Sequence, residues 1–191
     1  MYTNDKAITW EKKYTGFAHG NSGIMYSLVL ANEVINDSSL QNIILLALNY
    51  EKKHRIAEGW QDMRVKDKIL DFNSWCHGAT GILMTRKAIL SESTKLDKKI
   101  IEAVNEDIHY YNNTSTKRKG NIHPSLCHGF YGNFLIENRL ENIKKMTKNI
   151  VFDLENPAEE KSIMTGKLGW YYAFFKSEFQ KNDLPDILLL T

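Results

Sequence analysis

The sequence predicts an all-α protein of stacked helical hairpins, and three observations predict it. The first is an internal repeat. "AHGNSGIMY" (18–26), "CHGATGILM" (76–84), "CHGFYGNFL" (127–135) and, more weakly, "MTGKLGWYY" (164–172) share a Gly-x-x-Gly pair followed by apolar residues. Their leading glycines, Gly20, Gly78, Gly129 and Gly166, stand 58, 51 and 37 residues apart, a period that suits one helical hairpin per repeat. The second is the amphipathic helical spacing of the segments between them. The third is a poor strand signal, since few runs alternate apolar and polar residues.

Each element follows from this frame. After the first glycine pair, Ile24, Leu28, Ala31 and Ile35 recur at helical spacing, so each motif reads as the loop and first turn that open a helix. A more polar helix is predicted over about residues 39–57, with Leu40, Ile43, Ile44, Ala47 and Leu48 on one face and "EKK" at its outer end. Another is predicted from about Thr94 to Tyr111, opened by the capping-box pattern "TKLD" and carrying Leu96, Ile100, Val104 and Ile108. A third is predicted over about Phe134 to Ile150. Glycine-led helices alternating with amphipathic ones place the first kind inside and the second outside.

Composition narrows the function classes. A chain of 191 residues, 42% hydrophobic and 25% charged, suits one domain with a real core, expected over 1–191. A net charge of +2 gives no basic face for nucleic acid or a membrane surface. The longest apolar run, "IILLAL", is too short to span a bilayer, and the polar "MYTNDKAITWEKKY" is no signal or transit segment. The expected location is the cytoplasm. There, two cysteines are metal ligands, catalytic thiols or buried small hydrophobes more often than a disulfide.

The repeat decides among these. If every inner helix opens at one rim, the residues before the glycines meet in space, bringing Cys76 and Cys127 together with the neighbouring histidines. Two thiolates and an imidazole make a zinc site with a fourth position left for water or substrate. Because "CH" occurs twice, His77 and His128 both qualify as the nitrogen donor. Binding by both would close the site and leave no place for substrate. The bland reading of either cysteine is a small core hydrophobe, and that of His19 is a helix-start cap or packed imidazole. Trp75, Trp170, Tyr171 and Tyr172 could line a peptide groove, with core packing the expected role. His54, His109 and His123 lie outside the motifs and read as surface or packing residues.

The set "GFAHGNSGI", "SWCHGATGI", "SLCHGFYGN" and "SIMTGKLGWYYAFF", closed by "LPDILLL", resembles the last part of a lanthionine synthetase cyclase. The resemblance is closest to the cyclase region of the class II, LanM-type lanthipeptide synthetases, with the standalone LanC-like cyclases related. It covers the chain from about Tyr14 onward. It implies an α/α toroid, an inner ring of helices within an outer ring, of which the four repeats would supply the C-terminal half. The domain is then expected to be truncated at its N-terminal side. The resemblance also implies one Zn²⁺ held by Cys76, Cys127 and His128, with His19 as acid/base and His77 left as a cavity-wall or outer group. The implied partner is a lanthipeptide precursor peptide.

The chemistry matches these residue types. A free thiol is only slightly ionised at neutral pH, and zinc deprotonates a coordinating thiol. The thiolate would add to the β-carbon of a dehydroalanine or dehydrobutyrine, and a histidine suits the protonation that must follow. Two departures accompany the match. The family's catalytic aspartate has no counterpart before His19, and "KILDFNSWC" offers Phe72 and Asn73 where standalone cyclases carry an arginine. Half a toroid also leaves helix flanks uncovered, which predicts a complementary N-terminal synthetase fragment or self-association. A zinc module that binds thiol peptides without turnover, and an inactive remnant, are the alternatives.

Overall fold

The structure, a computed structural model, describes residues 14–64, 73–114, 123–147, 161–179 and 184–189. Within them lie seven helices: α1 (Asn21–Ile35), α2 (Ser38–Lys53), α3 (Ala79–Glu92), α4 (Lys98–Thr114), α5 (Phe130–Ile136), α6 (Leu140–Thr147) and α7 (Lys167–Phe179). A short antiparallel hairpin, β1 (Arg55–Ile56) and β2 (Gly59–Trp60), follows α2. The all-α expectation holds. No helix among the described residues is long and apolar enough to cross a membrane.

The glycine-led helices α1, α3, α5 and α7 pack side by side in chain order, and the intervening helices lie behind them. α2 packs on α1 and on α4, α4 on α3, and α6 on both α5 and α7. Met25, Val29, Ile44, Leu48, Ile82, Ile89, Ile100 and Val104 fill the space between the layers and are all buried. Each such side chain contributes roughly 1.5–3 kcal/mol by leaving water. The β hairpin is tied to α4 by Tyr110, whose hydroxyl donates to the carbonyls of Ile56 and, at 2.8 Å, of Gly59.

Several expected boundaries move, each for a physical reason. α2 stops at Lys53, four residues before the predicted end, because the chain turns at His54 into the β hairpin. α4 starts at Lys98, not Thr94, with the Asp97 carbonyl accepting its first bonds from Ile100 and Ile101. Thr94 caps nothing there, since Glu33 of α1 takes both its amide and its hydroxyl at 3.0 Å. The helix expected from Phe134 to Ile150 is two helices, α5 and α6. The left-handed Asn138 (φ 58) ends the first, and residues 148–150 lie outside the described set.

The buried face of α1 also differs from the expected one. Met25, Tyr26, Val29 and Asn32 are buried, whereas Ile24 and Ile35 of the predicted stripe are exposed. The repeat explains why. Ile24 and Leu30, 37% and 38% exposed, correspond in α3 to Ile82 and Ala88, 0% and 4% exposed. Among the described residues α3 has a glycine-led neighbour on each side, and α1 has one on one side only.

Charge is buried between the layers. Arg86 on α3 is fully buried, with Nη2 2.5 Å from Glu51 of α2, Nε 2.7 Å from Asp107 of α4, and Nη1 3.2 Å from the Ser22 hydroxyl of α1. Glu51 also accepts from Ser22 Oγ at 2.9 and 2.8 Å and from the Gly16 amide at 3.4 Å. Four helices and the loop before α1 thus share one ionic knot.

A second carboxylate ties α1 to the connection between α3 and α4. Glu33 accepts from the Ser93 hydroxyl and from the Lys95 amide at 3.1 Å as well as from Thr94. The Ser93 hydrogen bond, followed by those from Lys95 and Thr94, pulls its pKa from 4.5 down to about 2. A depressed carboxylate contributes stability above its unfolded pKa and loses it as pH falls through the folded one. The Tm gap between wild type and Glu33→Gln should therefore be constant above about pH 5 and close as pH falls from 4.5 toward 2. A gap that widens with acid in thermal melts would contradict this.

Candidate metal centre

The site grows out of the turns that open the inner helices. Ser74 Oγ accepts from the His77 amide at 3.4 Å, Ser125 Oγ from the His128 amide at 3.1 Å, and Ser162 Oγ from the Met164 and Thr165 amides at 3.3 Å. Each serine stands three residues before the second residue of its motif and closes the same local turn. The turn then folds back on the helix it opens. A Cβ on Gly81 would lie 1.9 Å from the Trp75 carbonyl oxygen, and one on Gly132 1.9 Å from that of Leu126. Only glycine permits that approach.

Successive turns are joined by backbone hydrogen bonds between equivalent residues. The Ala18 amide donates to the Cys76 carbonyl at 3.1 Å, the Cys76 amide to the Cys127 carbonyl at 3.4 Å, and the Cys127 amide to the Met164 carbonyl at 2.9 Å. Residues more than thirty positions apart in sequence thereby become neighbours. The row reads Ala18, Cys76, Cys127, Met164, so the two thiols sit side by side in its middle. The next row reads His19, His77, His128, Thr165.

Cys76, Cys127 and His128 offer ligand atoms that all lie within 4.8 Å of one another. Cys127 Sγ is 3.7 Å from His128 Nε2, and Cys76 Sγ is 3.7 Å from Ser74 Oγ. Tetrahedral zinc, with Zn–S near ~2.3 Å and Zn–N near ~2.0 Å, spaces its donors about 3.5–3.8 Å apart. The donor set and its spacing fit that ion. Both cysteines are free and buried, whereas His128 is exposed.

His77 lies outside that trio. It is buried, its Nδ1 has no hydrogen-bond partner, and its ring stacks on the exposed His19 with centroids 5.2 Å apart. Burial, helped by the nearby Arg64 cation and opposed by Asp62, pushes its pKa down to about 4, so it is neutral at pH 7. His128 is likewise lowered, first by burial and then by Arg64 and His123.

The two thiols titrate as a pair. The hydrogen bond from Cys127 lowers the Cys76 pKa to about 7 against the cost of burial, with Ser74 and Arg64 helping. Donating that bond raises Cys127, and burial raises it further. One proton leaves near neutrality and the second is held, so a cation is needed to collect both sulfurs as thiolates.

Sequence reasoning missed Ser74, Ser125 and the pair Asp62 and Arg64. The serines had a signal, since "SWC", "SLC" and "SIM" repeat one residue at one offset. Asp62 and Arg64 had none, because only tertiary packing brings them in. Thr15 Oγ1 donates to the Gln61 carbonyl at 2.7 Å, and a Cβ on Gly16 would meet His77 Cα at 2.9 Å.

A glycine-led helical array thus gathers two cysteines and a histidine at one place, which defines a candidate metal centre. A family model for lanthionine synthetase C-like proteins matches residues 1–189, and the chain belongs to that family. It is similar to the lacticin 481/lactococcin biosynthesis protein LcnDR2 of Lactococcus lactis subsp. lactis, 27% identical over 210 residues. That alignment takes in 92% of this chain and 22% of the relative, so the chain spans about a fifth of the length of the protein it matches.

Proposed function

We propose that the chain carries the zinc centre of a lanthipeptide cyclase, closing thioether rings in a dehydrated precursor peptide in the cytoplasm. The observation that carries the reading is the Cys76, Cys127 and His128 trio, with ligand atoms within 4.8 Å, in a chain of this family. Those residues would hold Zn²⁺, which when bound supplies the Lewis acidity that ionises a peptide thiol at neutral pH. The buried sulfurs fix the centre, and the exposed side of His128 leaves it open to a peptide. The peptide sulfur then bonds to the β-carbon of a dehydroalanine or dehydrobutyrine as the C=C π pair moves toward the α-carbon. A proton returns to that α-carbon, matching the one lost by the thiol, so the sum is addition of S–H across the double bond.

His19 is the proton carrier in this reading, since it is exposed at the rim and braced by the neutral ring of His77. His19→Ala should keep zinc and slow ring closure by about 10²-fold or more, the usual scale of general acid–base catalysis. Loss of zinc from that variant would sink the division of roles. The direct test is a cyclisation assay on dehydrated precursor with residual thiols counted by alkylation.

A second reading keeps the centre without turnover, as a zinc module that grips thiol peptides. The exposure of Ile24 and Leu30 on α1 among the described residues supports instead a version of the first reading in which a complementary N-terminal synthetase fragment packs over that flank. Precursor that binds with its thiols persisting would select the module without turnover, and thiols lost only once such a fragment is added would select the complemented cyclase.

A further inference from the structure

We propose that Ser74 is a positioning residue whose hydroxyl holds the Cys76 sulfur and keeps it a resident ligand, so that an entering peptide sulfur is the more reactive one. Ser74 is buried, and its Oγ lies 3.7 Å from Cys76 Sγ. The same oxygen accepts from the His77 amide at 3.4 Å. A metal-bound thiolate has no proton to give, so the hydroxyl, with the amide on one lone pair, is left to donate to the sulfur.

The hydroxyl is held in place from three directions. The Asn73 carbonyl accepts from Asn133 Nδ2 of α5 at 2.7 Å, the Ser74 carbonyl from the Gly81 amide of α3 at 3.2 Å, and the Trp75 indole donates to the Leu188 carbonyl at 2.8 Å. Three consecutive residues are thereby tied to three separate parts of the fold. A group fixed in this way can steer a metal ligand from outside the coordination shell.

The repeat supplies the comparison. Ser125 stands at the same offset before Cys127 and closes the same turn, accepting from the His128 amide at 3.1 Å. Among the described residues it makes no bond to a sulfur, and Cys127 Sγ instead has His128 Nε2 at 3.7 Å. That nitrogen is itself a candidate ligand, so a bound metal would draw it from Cys127 while the bond from Ser74 to Cys76 persists. Closing the turn therefore does not account for the sulfur contact, which Ser125 lacks. A hydrogen bond to a thiolate withdraws electron density from the sulfur. Two cysteine thiolates neutralise a divalent cation, and the excess negative charge of a third, entering thiolate then rests on the sulfur that has no such bond.

The inference rests on the zinc reading above, and the test separates the two. The full chain is loaded with Co²⁺, which takes the tetrahedral place of zinc and shows a sulfur-to-metal charge-transfer band, and zinc affinity is read by competition with a chromophoric chelator. Ser74→Ala should keep about one metal per chain, move the band to longer wavelength and bind zinc about tenfold more weakly. Ser74→Thr should return the band to its wild-type position. Ser125→Ala, which loses the equivalent turn bond but no sulfur contact, should leave the band where it is. An unmoved band in metal-loaded Ser74→Ala overturns the inference and leaves the zinc reading standing. Equal shifts in Ser74→Ala and Ser125→Ala also overturn it, since turn closure would then set the metal's surroundings. Loss of metal or of helicity in Ser74→Ala overturns it as well, because the serine would then build the turn and not tune the sulfur. Wild type that takes up neither ion overturns both readings.

Discussion

Cys127→Ser will purify with essentially no zinc and retain its helices. Serine supplies a hard hydroxyl that stays protonated near neutrality, so the trio falls to one thiolate and one imidazole. The surrounding architecture does not depend on the sulfur. The Cys127 amide and carbonyl make the links to Met164 and Cys76, and serine keeps both. Elemental analysis beside far-ultraviolet circular dichroism separates the two effects. Zinc at wild-type content in this variant would place the metal elsewhere, and collapse of helicity would make Cys127 a core residue first and a ligand second.

Arg86→Ala should be among the most destabilising single changes in the chain, by about 3–5 kcal/mol. The arginine is fully buried between Glu51 and Asp107, and its removal leaves two carboxylates facing a void with no cation. Arg55 still reaches Asp107, so the greater penalty falls on Glu51. Glu51 holds the Gly16 amide and the Ser22 hydroxyl, and that couples the knot to the turn bearing His19. Urea unfolding of wild type and variant reads the difference. A change below about 1 kcal/mol, the range of a surface substitution, would mean that water enters and solvates the acids. Replacing all three charges by apolar residues of similar volume should cost far less than removing Arg86 alone.

The meeting of Cys76 and Cys127 was legible in sequence because a repeat converts equivalent positions into adjacent ones, whereas the choice of His128 over His77 came from the family resemblance and not from the repeat. Cys76 and Cys127 occupy the same offset before their glycines, and the bonded row of turns sets them side by side. Half a toroid predicts uncovered helix flanks, but periodicity does not say which residues of α1 form one, since Ile24 and Ile82 look alike in sequence and are 37% and 0% exposed. Asn138 split a helix through one left-handed residue that composition does not flag. Asp62 and Arg64 belong to no repeat, and tertiary contacts such as the hydrogen bond from Thr15 to the Gln61 carbonyl place their segment.

The stacked turns bring three candidate ligands together, and metal content decides whether they assemble one centre. The measurement that tests it most directly is the zinc content of the purified chain after dialysis without chelator. About one zinc per chain, lost in Cys76→Ser and Cys127→Ser alike, is the predicted result. Wild type with no zinc, and no uptake when zinc is added back, would contradict it, because the three ligands would then be neighbours that hold nothing.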